Sequence, residues 1–405
     1  MKLKLLKVVL FIFPLFIEQS VFSQSKVSEE MYKELELFGE ALATVQNKYV
    51  EEKKPEDLIY GALSGLLMSL DSYSQFLTPD AYKELLVDTE GRFGGLGIEI
   101  TIKDGLLTIV SPLEDTPAWK AGLKSGDIIV KIEGELTKGI TLESAVKKLR
   151  GKPGTTVTIT VLREKDKKLE DITLTRDVIK IKDIKRATIL EDGVGYISFS
   201  EFRESTAKEL DKALKELKDK GMKALILDVR YNPGGLLHSA IEIASRFLPD
   251  NSLIVYTKSR EGNEIKYTTL PLATKYLDIP LVVLINKGSA SASEILASAL
   301  RENKRAVLLG ETSFGKGSVQ TVVPLSDGSA LRITTAKYYT PLGNSIHEVG
   351  IEPDIIVSKE TNEEVKEDVF EKLKEDKKSF DYKKDYQIVR ALDLIRGLMV
   401  LFKNN

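Results

Sequence analysis

The sequence predicts a mixed α/β fold in which a helical N-terminal region, a small β-rich insert and an αβ core follow one another. Apolar residues recur at helical spacing through residues 28–88. From about residue 92, short β-branched runs alternate with glycine turns, which indicates strands. From 186 to 357, apolar runs alternate with helical segments, and a last apolar stretch at 388–402 is expected to pack on the body of the protein or on another subunit.

The N-terminal helices are predicted from the spacing of their apolar residues. Leu35, Phe38, Leu42 and Val45 recur three or four positions apart, so they share one face of a helix. The run 58–70 repeats this spacing. The region is therefore expected to contain at least two amphipathic helices.

The strands of the insert and of the core are predicted from composition. The β-branched run 155–162 predicts a strand of the insert. In the core, the continuous apolar runs 224–227 and 281–285 predict strands that are buried on both faces. Helices are expected between such strands, at 206–220 and 291–303.

The composition excludes several classes of function. The chain has 405 residues, of which 42% are hydrophobic and 30% charged, as in an ordinary globular protein. Its 59 basic residues are balanced by 61 acidic ones, so no nucleic-acid partner is expected. The absence of cysteine excludes disulfides, thiolate nucleophiles and cysteine-bound metals. Because His238 and His347 are the only histidines, the base of any enzyme mechanism is expected to be another residue.

The N-terminal end of the chain has the pattern of a secretory signal peptide. Lys2, Lys4 and Lys7 form a positively charged region before an apolar run at 8–17, and cleavage is expected after Ser23. The apolar run has about half the length that a membrane-spanning helix needs. The mature protein is therefore expected to be exported, with a periplasm as the expected compartment.

A glycine-rich turn opens the insert. Gly94, Gly95 and Gly97 precede an alternating strand, and glycine lets a turn present several backbone N–H groups to a carboxylate. The strand after the turn could accept an extended peptide along its edge. On the glycines alone, an ordinary hairpin turn is the simpler interpretation.

The segment downstream of this turn resembles the bacterial PDZ signature. Residues 116–134 combine a short proline-initiated helix, a glycine turn and a strand. Thr141 is expected to cap a second helix that ends before Gly151. By this resemblance, the carboxylate at the end of a substrate would be held by the backbone around Gly95, Leu96, Gly97 and Ile98.

A serine-rich turn connects a buried strand of the core to a helix. The segment 286–295 contains Ser289, Ser291 and Ser293. A nucleophile at such a turn is presented rigidly, and the N–H groups and dipole of the helix N-terminus can stabilise an oxyanion. A helix cap is the alternative role of these serines, and composition does not rank the three.

A glycine-rich loop with a lysine follows. Four residues separate Gly310 from Gly315, and Lys316 comes next, as in a phosphate-binding P-loop. However, Gly317 stands where the magnesium-binding Ser or Thr would be, and residues 319–324 predict a strand. Without a helix N-terminus, the phosphate cradle lacks a main source of its affinity.

A lysine in such a loop has a second possible use. Burial disfavours its charged form, so the neutral amine of Lys316 could accept the proton of a serine hydroxyl. This arrangement is a Ser–Lys dyad, which needs no histidine. A nearby amide such as that of Gln320 could orient the amine.

A third glycine-rich turn ends another buried strand. Its sequence from Asp228 to Gly235 closes with Pro-Gly-Gly, and the N–H groups of Gly234 and Gly235 are candidates for an oxyanion hole. The alternative is a plain strand-to-helix turn in which Asp228 and Arg230 form a structural ion pair.

Together these motifs resemble those of the carboxyl-terminal processing proteases, also called tail-specific proteases. The segments 228–235, 288–295 and 310–320 occur in the order of that family, and 338–343 and 350–354 follow as expected. The resemblance covers nearly all of the mature chain. It implies a crotonase/ClpP-like αβ protease core with an inserted PDZ domain and helical N- and C-terminal segments.

The resemblance also assigns roles to individual residues. Ser291 would be the nucleophile, Lys316 the general base and Gln320 the side chain that orients the lysine. No metal or other cofactor is implied. The oxyanion hole would use the N–H of Ala292 and that of one glycine of the pair Gly234 and Gly235.

The expected domain organisation has five parts. Residues 1–23 form the signal peptide and 24–90 the helical N-terminal region. Residues 91–180 form the PDZ domain and 181–358 the serine protease core. Residues 359–405 form a C-terminal helical region that begins with a charged connector.

The predicted function is that of an exported serine endopeptidase that hydrolyses proteins whose C-terminal tails bind the PDZ domain. The N-terminal helices and residues 388–402 are expected to mediate a homodimer, and the sequence leaves the need for an adaptor protein open. Three alternatives remain at this stage. They are a non-catalytic PDZ scaffold, a P-loop-like nucleotide hydrolase and a crotonase-like acyl-group enzyme.

Overall fold

The computed structural model describes residues 29–113, 115–163, 168–358 and 380–403. The expected signal peptide and residues 359–379 of the charged connector lie outside this range. The described residues form two compact units that divide after Gly65. Within these residues, no helix is both long and apolar enough to cross a membrane.

The N-terminal region begins with the two predicted helices, α1 (Glu29–Lys48) and α2 (Pro55–Met68). No residue of α1 is buried. The apolar side chains of Leu35, Phe38 and Val45 remain about half exposed. The amphipathic pattern is therefore confirmed as helix, and its apolar face is about half exposed.

The rest of the predicted helical region contains one strand that the periodicity missed. Strand β1 (Gln75–Leu77) precedes α3 (Pro79–Glu90) and pairs antiparallel with a strand at residues 330–339. Asp71 forms a turn by accepting hydrogen bonds from the N–H groups of Tyr73 and Ser74. Three residues are too few for a recognisable alternation, and the pairing partner is remote in sequence.

The insert consists of one sheet with two short helices and a closing pair of strands. The sheet has the order β3-β4-β5-β7-β8, with β6 paired to β5, so β3 is an edge strand. Strands β2 and β9 pair antiparallel where the chain enters and leaves the insert. In chain order the elements are β2 (Arg92–Gly95), β3 (Ile98–Lys103), β4 (Leu106–Pro112), α4 (Pro117–Lys120), β5 (Ile128–Ile132), β6 (Glu135–Leu136), α5 (Leu142–Leu149), β7 (Thr156–Leu162), β8 (Leu169–Thr175) and β9 (Asp177–Lys180).

The core follows with alternating strands and helices. Short 3-10 turns lie at Glu191–Gly193 and Tyr382–Lys384. The elements are β10 (Ile184–Ile189), β11 (Val194–Phe199), α6 (Thr206–Asp219), β12 (Ala224–Asp228), α7 (Leu237–Ser245), β13 (Leu253–Ser259), β14 (Glu264–Thr268), β15 (Leu281–Ile285), α8 (Ala292–Glu302), β16 (Val307–Gly310), β17 (Ser318–Pro324), β18 (Ala330–Tyr339), β19 (Ile355–Ile356) and α9 (Tyr386–Lys403).

Two sheets form the core. The first has the order β10-β11-β12-β15-β16-β19, in which all strands from β11 onward are parallel. The second has the order β1-β18-β13-β14, with β17 paired to β18, and is antiparallel. This mixed α/β architecture with helices at both ends confirms the predicted fold class.

Successive side chains of the parallel strands point to opposite faces of the sheet, and both sets are apolar. Leu225 and Leu227 pack with α6, α7 and α8 in one cluster, whereas Ala224 and Ile226 pack with α9 in another. Both faces of the sheet are therefore covered, as the continuous apolar runs predicted. The C-terminal stretch was predicted to pack on the body of the protein or on another subunit, and it packs on the body.

The parallel sheet also positions the three glycine-rich or serine-rich motifs. Each motif follows the carboxyl end of a parallel strand, namely β12, β15 or β16, and these strands are neighbours. Loops at the carboxyl ends of parallel strands meet at one edge of a sheet. The fold thus collects the motifs from distant parts of the sequence at a single site.

Candidate active site

Ser291 lies at the N-terminus of α8 in a conformation that is rare for a residue with a side chain. Its φ is 53° and its ψ is −115°. The backbone is held there because the Ser291 N–H donates to Glu294 Oε2 at 2.7 Å and the Ser291 carbonyl accepts from two N–H groups of α8. Such strained positions cost roughly 1–3 kcal/mol and concentrate at active sites.

The other two serines of the turn are occupied by structural hydrogen bonds. Ser289 Oγ donates to the carbonyl of Val229 at 2.7 Å, and Ser293 Oγ donates to the carbonyl of Asn232 at 3.0 Å. Both serines are fully buried, whereas Ser291 lines a cavity. The structure therefore separates the three serines that composition could not rank.

The glycines of the turn after β12 differ in what their N–H groups do. The Gly234 N–H donates to Asn232 Oδ1 at 2.9 Å, so it is already in use. The N–H groups of Gly235 and Ala292 have no acceptor among the described residues. Gly235 also needs to be glycine, because a Cβ there would lie 2.1 Å from the carbonyl oxygen of Phe202. Of the residues expected to form an oxyanion hole, Gly235 and Ala292 therefore have N–H groups without an acceptor in the described part of the chain, whereas the N–H of Gly234 is engaged.

Lys316 lines the same cavity as Ser291. Burial lowers the pKa of the Lys316 amine, and the nearby positive charge of Arg332 lowers it further, while Glu294 opposes both effects. Its Nζ lies 5.3 Å from the centre of the Tyr73 ring. The neutral, proton-accepting form of this lysine is therefore more accessible than that of a solvated lysine.

The loop of Lys316 does not have the structure of a P-loop. Lys316 is followed by strand β17, so no helix N-terminus points at the glycines. A Cβ at position 317 would lie 2.4 Å from the backbone nitrogen of His347, which explains why Gly317 stands where a P-loop carries Ser or Thr. This removes the structural basis of the nucleotide-hydrolase alternative.

Gln320 lines the cavity beside Lys316 but is turned toward its own sheet. Its Nε2 donates to Ser318 Oγ at 2.8 Å and to Thr334 Oγ1 at 3.3 Å. Within the described residues it makes no hydrogen bond to the Lys316 amine. The expected orienting role of Gln320 thus stays a prediction. Both of these hydrogen bonds use Nε2, so Oε1 is the atom that could accept from the amine.

Glu294 is a site residue that the sequence reasoning missed. It is fully buried and accepts four hydrogen bonds that join the serine turn to the lysine loop. Oε1 accepts from Ser313 Oγ and Gly315 N, and Oε2 accepts from the N–H groups of Ser291 and Lys316, at 2.6–2.9 Å. Burial raises the pKa of its carboxyl group against the effect of these donors. A glutamate three positions after a serine at a helix start is the capping signal that could have identified it.

The turn after β12 is anchored by a buried arginine. Arg230 pairs with Asp228 at 2.7 Å, as the structural interpretation of the motif expected. It also binds both carboxylate oxygens of Asp385, at 3.0 and 2.8 Å, and Gln387 Oε1 at 2.7 Å. Asp385 immediately precedes α9 and Gln387 lies in its first turn, so the C-terminal segment contributes to the support of the candidate oxyanion turn.

The two histidines occupy different environments. His238 lines the cavity, but its side chain is largely exposed and lies 3.6 Å from Glu242. His347 lies in the loop after β18, and its side chain is only 23% exposed. It packs edge-on against Tyr73, and its Nδ1 is buried without a hydrogen bond. Neither histidine is held between a serine and a carboxylate.

The cavity is large enough to accept an extended segment of polypeptide. Its volume is about 730 Å³. Apolar side chains line one part of it, and charged side chains from α3 and from the segment between β11 and α6 line another. Among the lining residues are Ile241, Tyr267, Tyr338, Asp88, Arg203 and Arg332.

The insert carries a second, smaller cavity between the edge strand β3 and helix α5. Its volume is about 90 Å³. All four residues expected to form the peptide groove, Gly95, Leu96, Gly97 and Ile98, line it together. The other lining residues are Phe93, Ile100, Val146, Leu149 and Arg150. The groove is therefore narrow and mainly apolar.

Potential metal ligands are not gathered anywhere in the part of the chain that the structure describes. No three acidic or histidine side chains there come together as a cluster that could hold an ion. The expectation that no cofactor is needed stays a prediction.

Comparison with known proteins places this geometry in context. Residues 193–357 match the model of Peptidase family S41, and residues 108–163 match that of the PDZ domain. The chain is 42% identical to the carboxy-terminal-processing protease of Bartonella bacilliformis, over 89% of this chain and 84% of that protein. It is 39% identical to the carboxy-terminal processing protease CtpB of Bacillus subtilis, over 82% of this chain and 70% of that protein.

A solved structure described as an S41 protease from Bacteroides fragilis shares the fold. It matches with a TM-score of 0.50 over 88% of this chain and 97% of that one, at 18% sequence identity. At this identity the likeness concerns the fold alone.

Proposed function

Because the chain belongs to Peptidase family S41 and is a carboxy-terminal processing serine endopeptidase, we propose that it hydrolyses peptide bonds through a dyad of Ser291 and Lys316. The observation that carries this proposal is the shared cavity of the strained Ser291 and the desolvated Lys316. The other serines of the same turn are fully buried and engaged.

The first half of the reaction forms an acyl-enzyme. The neutral amine of Lys316 accepts the proton of Ser291 Oγ as the oxygen attacks the carbonyl carbon of the scissile bond. The N–H groups of Ala292 and Gly235 donate to the oxyanion that develops. When the carbon–nitrogen bond breaks, the Lys316 ammonium returns its proton to the departing amine.

The second half of the reaction releases the new C-terminus. A water molecule gives a proton to Lys316 and attacks the ester carbonyl, and the same two N–H groups bind the second oxyanion. Ser291 Oγ leaves and takes the proton back from the lysine. Gln320 is proposed to orient the amine through Oε1 after its side chain turns toward Lys316.

The PDZ insert is proposed to bind the C-terminal tail of the substrate. An extended tail would add to the free edge of β3 and place its last side chain in the cavity between β3 and α5. The small volume and apolar lining favour a small or aliphatic last residue. The backbone around Gly95–Ile98 is proposed to hold the terminal carboxylate.

Export and self-association complete the proposal. The charged and then apolar start of the sequence supports removal of residues 1–23 during export to a periplasm, and N-terminal sequencing of the mature protein tests this. The half-exposed apolar face of α1 supports a homodimer.

The experiment uses peptides that share one cleavable segment and differ only in their last residues. Wild type should cleave peptides with an aliphatic C-terminus faster than those with a charged or amidated one, and Ser291→Ala should cleave none while still binding them. Equal cleavage of all tails would contradict the role of the insert. Hydrolysis by Ser291→Ala would contradict the dyad.

A further inference from the structure

Arg332 lies on β18 and faces the catalytic cavity. In the pairing of β17 with β18, Gln320 is opposite Thr334 and Val322 is opposite Arg332. Directly opposed residues share one face of a sheet, and so do residues two apart along a strand. Arg332 is therefore on the same face as Gln320, roughly 7 Å further along the strand.

The guanidinium group of Arg332 is largely without partners. Its Nη2 donates to Gln75 Oε1 at 3.0 Å. Its Nε is buried and makes no hydrogen bond, and no carboxylate of the described residues lies within ion-pair distance of it. An unpaired buried donor is costly, and a guanidinium offers five N–H groups in a fork that matches a carboxylate.

Three other arginines of the core each have a carboxylate partner. Arg203 lines the same cavity and pairs with Asp183 at 2.8 Å and with Glu201. Arg230 pairs with Asp228 and Asp385, and Arg246 pairs with Asp211 at 2.6 Å. The fold supplies a carboxylate to each of these, whereas no carboxylate of the described residues pairs with Arg332, although Asp88 and Glu201 line the same cavity.

Arg305 also has a buried, unbonded Nε and no carboxylate partner among the described residues, but its Nη2 donates to the carbonyls of Tyr276 and Ile279 and it does not line the cavity. Arg332 differs because its free donors belong to a side chain that lines the space a substrate would occupy, which indicates a partner from outside the chain.

We propose that Arg332 is a specificity-determining residue that binds an acidic side chain of the substrate. This inference rests on the proposed function, because it requires a polypeptide in the cavity that Ser291 and Lys316 line. An extended substrate advances roughly 3.3 Å per residue and Arg332 lies roughly 7 Å beyond Gln320, so the residues on either side of the cleaved bond are the positions to test. A bidentate pair with the guanidinium would satisfy the donors that the fold leaves free.

The positive charge of Arg332 also acts on Lys316, so loss of activity alone would not identify a binding role. Removing the charge changes the protonation of Lys316 for every substrate alike. The ratio of kcat/KM between two peptides that differ only in one acidic residue cancels this common effect. The ratio is therefore the quantity to measure.

The experiment places Asp or Asn, one position at a time, at each of three residues on either side of the bond that wild type cleaves in a neutral parent peptide. At one position wild type should prefer Asp by on the order of ten-fold. Arg332→Gln should bring that ratio to about one, and Arg332→Glu should favour Lys at the same position. Arg260→Gln, an exposed arginine outside the cavity, should keep the wild-type ratio.

Two results would overturn the inference. One is a ratio near one for wild type at every position, and the other is an unchanged preference for Asp in Arg332→Gln. Cleavage of the neutral parent shows that the variant is folded. The same ratio is measured as a ratio of dissociation constants in Ser291→Ala, so failure of the dyad and failure of the Arg332 site are separate outcomes.

Discussion

At the scale of single residues, the candidate site depends on one carboxylate that takes no part in the chemistry. Glu294 accepts from the N–H groups of both Ser291 and Lys316, so it fixes the two proposed reacting residues relative to each other. It also accepts from two further groups of the lysine loop. We treat it as a positioning residue.

Replacement of Glu294 by Gln should lower kcat far more than it changes KM. The amide would place an NH2 group against N–H donors, which displaces the serine turn, the lysine loop or both. A displacement of about 1 Å can cost on the order of 10²-fold in rate. Steady-state kinetics measures the split, with Glu302→Gln on the same helix as the control. An equal rise in KM at unchanged kcat would contradict the positioning role.

The pH dependence of kcat/KM reports on the base. Only the neutral amine of Lys316 accepts a proton, so activity should rise with pH through the lysine pKa, and the midpoint should lie below the usual value of about 10.4. Arg332→Gln removes a positive neighbour and should move the midpoint up. Glu294→Gln removes a negative one and should move it down. Shifts of the same sign in both variants would show that Lys316 is not the titrating group.

The sequence identified Ser291, Lys316 and the glycine pair, but it could not predict their environments. At the level of the sequence, only the resemblance to the protease family selected Ser291 among the three serines. The structure shows that Ser289 and Ser293 donate hydrogen bonds to the carbonyls of Val229 and Asn232. The choice between Gly234 and Gly235 depends on the side chain of Asn232. Such contacts join segments that are far apart in sequence and leave no local pattern.

At the scale of elements, α9 is tied to the turn that carries Gly235. Asp385, immediately before the helix, and Gln387, in its first turn, bind Arg230, and the apolar face of the helix covers the parallel sheet. The sequence predicted an apolar C-terminal segment but not its place. Strand β1 was missed for the same reason, because its partner β18 is remote in sequence.

Asp385→Asn should destabilise the protein and reduce its activity. The Arg230 side chain is 9% exposed and that of Asp385 is 36% exposed, so loss of this pair should lower the free energy of unfolding by about 1–3 kcal/mol. Urea unfolding measures this, and kcat should fall because the turn after β12 loses an anchor. Asp393→Asn, which breaks an exposed pair within α9, should change stability by less than about 1 kcal/mol. Equal effects of the two variants on stability and kcat would contradict the proposed link between the Arg230–Asp385 pair and the turn after β12.

At the scale of the whole molecule, the main proposal is that two copies of the chain form a homodimer through α1. Helix α1 has the apolar spacing of a packed helix and yet has no buried residue. Half-exposed Leu35, Phe38 and Val45 form a continuous apolar face. A second copy of the chain, offering the same face, would bury it symmetrically.

Light scattering should therefore give the mass of a dimer at micromolar concentration. Leu35→Glu combined with Phe38→Glu should give a monomer, because two charges would enter the apolar face. Lys33→Glu is the control for added negative charge and should remain a dimer. A wild-type monomer at this concentration would contradict the proposal.

The central claim is that Lys316 activates Ser291, and the rate of covalent labelling tests it directly. A fluorophosphonate reacts with an activated serine oxygen and releases fluoride, and intact-mass spectrometry follows the adduct. We expect one adduct, at Ser291, with labelling slowed on the order of 10²-fold or more in Lys316→Arg, because guanidinium does not give up its proton. Labelling of a different serine, or an equal rate in Lys316→Arg, would contradict the account.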